Sequence, residues 1–568
     1  MRYHVMALAG LLVTSQAQAA PDPTVHYSLK PVLTDGQLTA VEFDMRFQAT
    51  QAQTEVDLPD RWARGKDYYK GLKDIEITGA TAVSIPANRP AQRILTAAPG
   101  AEITVRYHVD ANLKAGEEAP IATDMTYPVV GPNRFYILGE SVWSTVAGTD
   151  ERPVTFSADM PAGWAFASNL QDLTSLHGND SDVAESILVG GTDLHIESIQ
   201  TSHTRLRIAS AGRFDFTLAD FTDRTERIIA TEQAFWNDGQ PSFLVTLAPI
   251  SPEPGHMSSH GEGRPGAFAI MTVPDAPLET VTFSLAHEYF HSWNPEKLGQ
   301  TESGADEALS YWFSEGFTDY YGRKLAFKAG VVSLEQFIAE WNEALDRYAN
   351  SPHRTAPNTE LRDHQWADET WHKIAYDRGS ILAAYLNAEW RTKGVTLDRF
   401  MHTLRDKVAA DPGLAAMPTE QRVASVAAGL GVPASEELAR FIDRGEAITL
   451  PEDAFGGCIR VIMKTVPDVD YGFDLKTFHD THIFRGVKPD SPAYTAGLRD
   501  GMAFLTFKDK DSSDSSMPAT FEVRDTDGKT QTITYLPQGK TSHVRQQLMV
   551  PAGLTADQAK ACAAAITS

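Results

Sequence analysis

The run His287-Glu288-Tyr289-Phe290-His291, followed 24 residues later by Glu315, constrains this chain more than any other feature. If residues 277–293 form a helix, His287 and His291 stand about 40° apart around its axis and present both imidazoles from one face. Two histidines so placed can hold one metal ion. Glu288 lies about 100° from His287, able to reach a water at that ion without being a ligand. A further ligand must come from elsewhere, because a catalytic zinc site takes three protein ligands and keeps one position open. The segment Trp312-Phe313-Ser314-Glu315-Gly316-Phe317-Thr318-Asp319-Tyr320-Tyr321 supplies Glu315, on a second helix expected from Asp306 to Ala329. Helix, reversal, helix is the path that returns this carboxylate to the two histidines.

Asp319 falls one turn beyond Glu315 on the same face, placed to accept a hydrogen bond from the outer nitrogen of a histidine ligand, His287. In the His-Glu-x-x-His arrangement, Zn²⁺ lowers the pKa of its water towards about 7, and the Glu takes a proton as that water attacks a peptide carbonyl. Negative charge then builds on the carbonyl oxygen, and a Tyr hydroxyl can share it. Tyr376, in Ala375-Tyr376-Asp377-Arg378-Gly379-Ser380, is the candidate; periodicity alone reads it equally well as a core aromatic.

At 568 residues the chain exceeds what one hydrophobic core supports, so it divides into several domains. Residues 21–214 read as strands, with alternating runs such as Leu38–Phe47, Ile103–Val109 and Leu206–Ala209 broken by Gly, Pro, Asn and Asp clusters. One more apolar run covers Phe243–Ile250, and Pro252–Gly266 reads as loop. Helices dominate from Pro277 to Ile442. The first begins just after Asp275 in an N-cap-like position and ends at Pro295. A capping-box spacing, Ser333 to Gln336, opens another that continues to Tyr348, and a further helix covers about 374–391. After Pro451 short strands and turns return, including a hairpin at Asp527-Gly528.

Acidic residues outnumber basic ones 75 to 50, a net charge of -25, which repels nucleic acid and anionic membranes. At the N-terminus Arg2, the apolar stretch Val5–Val13, Ser15 and Ala17-Gln18-Ala19-Ala20 form a signal-peptide layout with cleavage after Ala19. No later window is long and apolar enough to span a bilayer. A secreted or periplasmic protein is therefore expected. Its two cysteines, Cys458 and Cys562, then read as a disulfide pair, with two buried thiols as the alternative.

Taken together, these residues resemble the glycyl aminopeptidases, relatives of aminopeptidase N among the zinc peptidases with a glutamate as third ligand. The run His287 to Asn294 with Lys297-Leu298 is similar to that family's zinc helix. Glu315-Gly316-Phe317-Thr318 resembles its third-ligand helix, and Tyr376-Asp377-Arg378-Gly379 the motif that carries its transition-state tyrosine. The resemblance implies a multidomain α+β chain: an N-terminal β-sandwich or saddle-like domain (20–214), a thermolysin-like, mainly helical catalytic domain (215–450) and a C-terminal PDZ domain with an extension (451–568). It further implies one catalytic zinc held by His287, His291 and Glu315, with Glu288 and Tyr376 catalytic and small N-terminal residues favoured. Tyr471-Gly472-Phe473 resembles a PDZ carboxylate-binding loop, implying capture of peptide C-termini, although Met502 stands where such domains carry Asp.

One departure separates this chain from the resemblance. The clan's aminopeptidases carry Gly-x-x-Glu on a strand edge, and its Glu binds the substrate's α-amine. Here the corresponding stretch reads as Gly266-Ala267-Phe268-Ala269-Ile270, with Ala269 in place of the Glu. Glu262 is the candidate substitute, and an ordinary exposed loop carboxylate is the alternative. Three functions follow: a zinc aminopeptidase, a zinc endopeptidase or dipeptide-releasing peptidase on the same scaffold, and a PDZ peptide-binding protein with a vestigial peptidase site.

Overall fold

A computed structural model describes residues 22–567 apart from 63–64, 114–124, 148–151, 174–179, 251–258, 508–514 and 551–554. The signal peptide expected over 1–19 lies outside the described residues.

Alternating apolar residues build the N-terminal unit. In Val25–Thr34 the residues Val25, Tyr27 and Leu29 turn inward, and this strand pairs antiparallel with Gln37–Gln48. A five-stranded sheet runs in the order Val154–Ala158, Val25–Thr34, Gln37–Gln48, Glu102–Asp110, Lys73–Thr78. Two four-stranded sheets accompany it, and Tyr27, Phe43, Tyr107 and Trp143 fill the shared core.

The second unit is built on five strands: β1 (His195–Gln200), β2 (Arg205–Ser210), β3 (Ser242–Pro249), β4 (Ser259–Arg264) and β5 (Ala267–Thr272). They lie in the order β1-β2-β3-β5-β4. β2, β3 and β5 are parallel, and both edge strands are antiparallel. The run Leu206–Ala209 pairs within this sheet, with β1 on one side and β3 on the other. Alternation identifies a strand but not its partner, and the parallel β2–β3 pairing depends on a crossover helix. The expected loop 252–266 contains the edge strand β4, whose Gly, Ser and His residues carry little strand propensity and are ordered by pairing with β5.

The crossover is helix α1 (Leu218–Trp236), in a stretch the periodicity left unassigned; Thr217 caps it by accepting the Asp220 N–H. Helix α2 (Leu278–Phe290) carries the histidines, with Pro277 rather than Asp275 at its N-cap. The expected single helix over 306–329 is broken into a 3-10 segment (Gly304–Ser310), a short turn (Tyr311–Ser314) and α3 (Gly316–Lys328). Ser333 and Gln336 form the expected capping box of α4 (Leu334–Asn350). Helix α5 (Glu369–Arg391) starts earlier than expected, because the Asp368 side chain accepts the N–H groups of Thr370 and Trp371. A seam of Tyr136, Leu138 and Val189 against Leu244, Ala248 and Met271 joins the N-terminal unit to the central sheet, with Tyr136 Oη 2.7 Å from Thr246 Oγ1.

Beyond residue 450 a two-stranded ribbon, β6 (Arg460–Val469) and β7 (Gln538–Met549), lies on α4. Asn342 exchanges hydrogen bonds with the Leu548 backbone at 3.2 and 2.7 Å. Arg545 donates to Asp346 at 2.5 Å, both side chains 2% exposed. Cys458 is joined to Cys562 on the terminal helix Ala556–Thr567. A separate aromatic core of Phe473, Phe478, Phe484, Phe504 and Phe521 lies between the ribbon strands in sequence. It includes a helix over Leu475–Thr481, where strands and turns were expected.

Candidate metal centre and active site

Helix α2 delivers His287 and Glu288 in its last turn, and His291 follows at the C-cap. The broken second helix places Glu315 at the junction before α3. His287 Nε2 and His291 Nε2 are 3.0 Å apart, and Glu315 Oε2 is 3.3 Å from the first and 3.4 Å from the second. A tetrahedral site with bonds of about 2.05 Å separates neighbouring donors by about 3.3 Å, so these three atoms fit one face of a zinc tetrahedron. Among the described residues this is the one group of histidine and carboxylate donors spaced to hold an ion.

Both outer nitrogens are engaged. His287 Nδ1 lies 3.0 Å from Asp319 Oδ1, and Asp319 Oδ2 accepts from Arg323 at 2.9 Å. His291 Nδ1 donates to the Asn294 carbonyl at 2.6 Å. These contacts fix the tautomers that leave each Nε2 lone pair free to face an ion. The Asn294 amide donates in turn to the Phe313 carbonyl at 2.9 Å and Thr318 Oγ1 at 3.1 Å, tying the end of α2 to the start of α3.

Glycine lets the helices meet. A Cβ on Gly316 would stand 2.4 Å from Gly379 Cα, and one on Gly379 would stand 2.0 Å from the Trp312 carbonyl oxygen. This backbone contact between α3 and α5 carries Tyr376 to the site, where its ring stacks on His287 with centroids 6.0 Å apart.

The electrostatics suit a cation. Burial opposes charge on His287, but the Asp319 and Glu315 carboxylates outweigh it and lift its pKa to about 10. Burial likewise opposes charge on Glu315, yet the two imidazoles hold its carboxyl well below the ordinary range. In the metal-free protein an imidazolium proton thus occupies ground a metal ion would take. Burial, then the carboxylates of Glu315, Glu288 and Asp319, push the Tyr376 hydroxyl well above its usual range; it stays protonated and able to donate.

Glu262 is not a loop residue. It lies on edge strand β4 opposite Ala269, while Ala269, where the amine-binding Glu was sought, is buried on the inner strand β5. The upstream strand edge is therefore β4. Its Gly263 runs against Glu288, because a Cβ there would stand 2.6 Å from Glu288 Oε2. Arg264, 6% exposed, donates to Glu262 at 3.1 Å and pairs with Glu140 of the N-terminal unit at 3.1 Å, its guanidinium 4.6 Å from the Trp62 ring centroid. Burial pushes the Glu140 carboxyl up to about 7 despite this partner. Sequence reading missed Arg264, Glu140 and Trp62, and it named Asn294 without giving it a role. Period-two spacing from Glu262 would have placed Arg264 on the same strand face, but nothing local marks Glu140 or Trp62.

Tyr471, Gly472 and Phe473 are not brought to this group; they pack in the C-terminal core. The Gly472 N–H donates to Asp470 at 2.8 Å, the Tyr471 carbonyl accepts from Tyr535 at 2.7 Å, and Phe473 is buried.

Residues 281–385 match the family described as M61 glycyl aminopeptidase, and residues 26–182 match the Peptidase M61 N-terminal domain. The first match spans His287, Glu288, His291, Glu315 and Tyr376. The chain is a metallopeptidase carrying M61 domains. This metallopeptidase shares its fold with an aminopeptidase N family protein from Idiomarina loihiensis, with a TM-score of 0.66 at 17% identity over 95% of this chain and 99% of that one. An M1 zinc metallopeptidase from Deinococcus radiodurans aligns at a TM-score of 0.46 and 14% identity, over 77% of this chain and 97% of that one. A point mutant of that enzyme bound to a Tyr-Ser-Ala substrate gives 0.45 and 14%, over 76% and 96%. Comparison with curated proteins gives no match. Among the described residues, no helix of the metallopeptidase is long and apolar enough to cross a membrane.

Proposed function

We infer that this metallopeptidase holds one zinc ion through His287, His291 and Glu315 and removes residues from peptides with a free N-terminus, favouring small ones. The observation that carries the zinc assignment is the 3.0, 3.3 and 3.4 Å donor triangle. When bound, zinc supplies a Lewis acid and a water of lowered pKa. Glu288, against the backbone of β4, accepts a proton from the attacking water and returns it to the leaving amine. Tyr376 donates to the carbonyl oxygen as charge develops there. Glu262, on the edge strand beside Glu288, meets the α-amine. Asp319 and the Asn294 carbonyl hold the two imidazoles in orientation. Export is part of this reading, supported by the N-terminal apolar run and by the disulfide, which persists in oxidising compartments.

An endopeptidase or dipeptide-releasing reading is favoured by one observation: Glu262 is already paired with Arg264, which reduces its attraction for an amine. Capture of peptide C-termini through Tyr471, Gly472 and Phe473 rests on their motif alone. Against it, Asp470 takes the Gly472 N–H, and a helix follows where an added peptide strand needs a strand edge. Matched peptides with free and acetylated N-termini, with and without a chelator, separate the readings. We expect chelator-sensitive cleavage of the free peptide alone. Equal turnover of the acetylated peptide would eliminate the aminopeptidase, and turnover that survives the chelator would eliminate the zinc enzyme.

A further inference from the structure

Aromatic side chains lead outward from the metal-ligand group. Tyr376 stacks on His287 at 6.0 Å, His372 lies 5.1 Å from Tyr376, and Trp366 lies 5.1 Å from His372. Tyr311 meets Trp366 edge-on at 6.4 Å and returns to the site, because it sits one turn before Glu315, whose N–H donates to the Tyr311 carbonyl at 3.0 Å. The circuit His287, Tyr376, His372, Trp366, Tyr311, Glu315 therefore closes on itself, with the donor atoms at one end and Trp366 at the other.

Exposure rises along it. Tyr376, His372 and Tyr311 are half-buried, whereas Trp366, in the turn before α5, is 76% exposed, the highest value among the exposed large hydrophobic residues described. A single exposed apolar residue needs no explanation. An indole joined ring by ring to the transition-state tyrosine and a metal ligand does, since it extends the site with a flat apolar surface and two half-buried aromatic neighbours. Aromatic rings favour offset or edge contacts with centroids 4.5–7 Å apart, and every ring contact from His287 to Tyr311 falls within that range, so another ring can be added on the same pattern.

We propose that Trp366, with Tyr311 and His372, forms a subsite for an aromatic side chain of the peptide substrate, flanking the bond cleaved at the metal centre. The proposal rests on the peptidase reading of that centre and adds a specificity element to it. The indole supplies the stacking face, Tyr311 an edge and His372 the link to Tyr376. A substrate ring seated there draws its peptide towards Tyr376, so the subsite favours phenylalanine or tyrosine over glycine after the scissile bond, behind the small residue that is released.

The test uses the zinc-loaded full chain and two short peptide series, one varied before and one after the scissile bond, with Phe, Leu, Arg and Gly at that place. In the series varied after the bond we expect a Phe-over-Gly preference in kcat/KM that falls about tenfold in Trp366→Ala and is largely restored in Trp366→Phe. Binding of the same peptides to a Glu288→Gln chain, read by calorimetry, should show the same Trp366-dependent preference without turnover. A Phe-over-Gly ratio unchanged by Trp366→Ala in that series, or an effect on Arg in place of Phe, overturns the subsite. Absence of hydrolysis by the zinc-loaded wild-type chain instead overturns the peptidase reading, and the binding ratio then decides the subsite on its own.

Discussion

Replacing Asp319 by Asn removes the charge behind His287 while keeping the side chain's size. In the wild-type chain that carboxylate accepts from His287 Nδ1 at 3.0 Å and from Arg323 at 2.9 Å, with Arg323 only 8% exposed. Two consequences oppose each other. The amide is a weaker acceptor, and when turned to donate it favours the tautomer that puts the proton on Nε2; such outer partners are worth about 10–100-fold in metal affinity, or about 1.4–2.7 kcal/mol. The same carboxylate, with Glu315, lifts the metal-free His287 to about 10, so at neutral pH zinc must displace a proton it helps to hold. Asp319→Asn lowers that proton affinity and weakens the competition. The affinity deficit should therefore be largest near pH 8.5 and shrink as the pH falls towards 6. Competition for zinc against a chromophoric chelator across this range measures it, with the metal-free melting temperature as a check on folding. A deficit that grows towards acid would refute the assigned role of Asp319.

Two further outcomes follow from buried charge. Asp346→Asn strips the counter-charge from Arg545, with both side chains 2% exposed, and should destabilise the ribbon's attachment to α4 by about 3 kcal/mol in urea unfolding; Arg545→Met added to it should recover most of the loss. For Glu140, whose carboxyl rests near 7 in the folded chain against an ordinary value of 4.5, the unfolded chain loses its proton first. Stability from this group falls as pH rises from about 4.5 to about 7, by about 3 kcal/mol, and Glu140→Gln should flatten that part of the unfolding profile.

The metal-ligand group was legible because it is local. His287, His291, Glu315 and Asp319 occupy two helical stretches whose periodicity fixes their faces, and Gly316 and Gly379 sit inside the same motifs. The Ser333–Gln336 capping box was readable for the same reason. Features set by partners distant in sequence were not. Edge strand β4 is ordered by β5 despite a composition typical of loops, which sent the search for an amine-binding Glu to the buried Ala269. Glu140 and Trp62 reach Arg264 through the docking of one sheet on another. Alternation in Leu206–Ala209 likewise cannot reveal that its neighbour is β3.

The claim that Glu288 moves the proton at a zinc held by His287, His291 and Glu315 is tested most directly by measuring metal content and hydrolysis together on Glu288→Gln. We expect one zinc per chain by mass spectrometry, as in the wild type, and a loss of peptide hydrolysis of at least about 100-fold. Full retention of zinc with undiminished hydrolysis would contradict it.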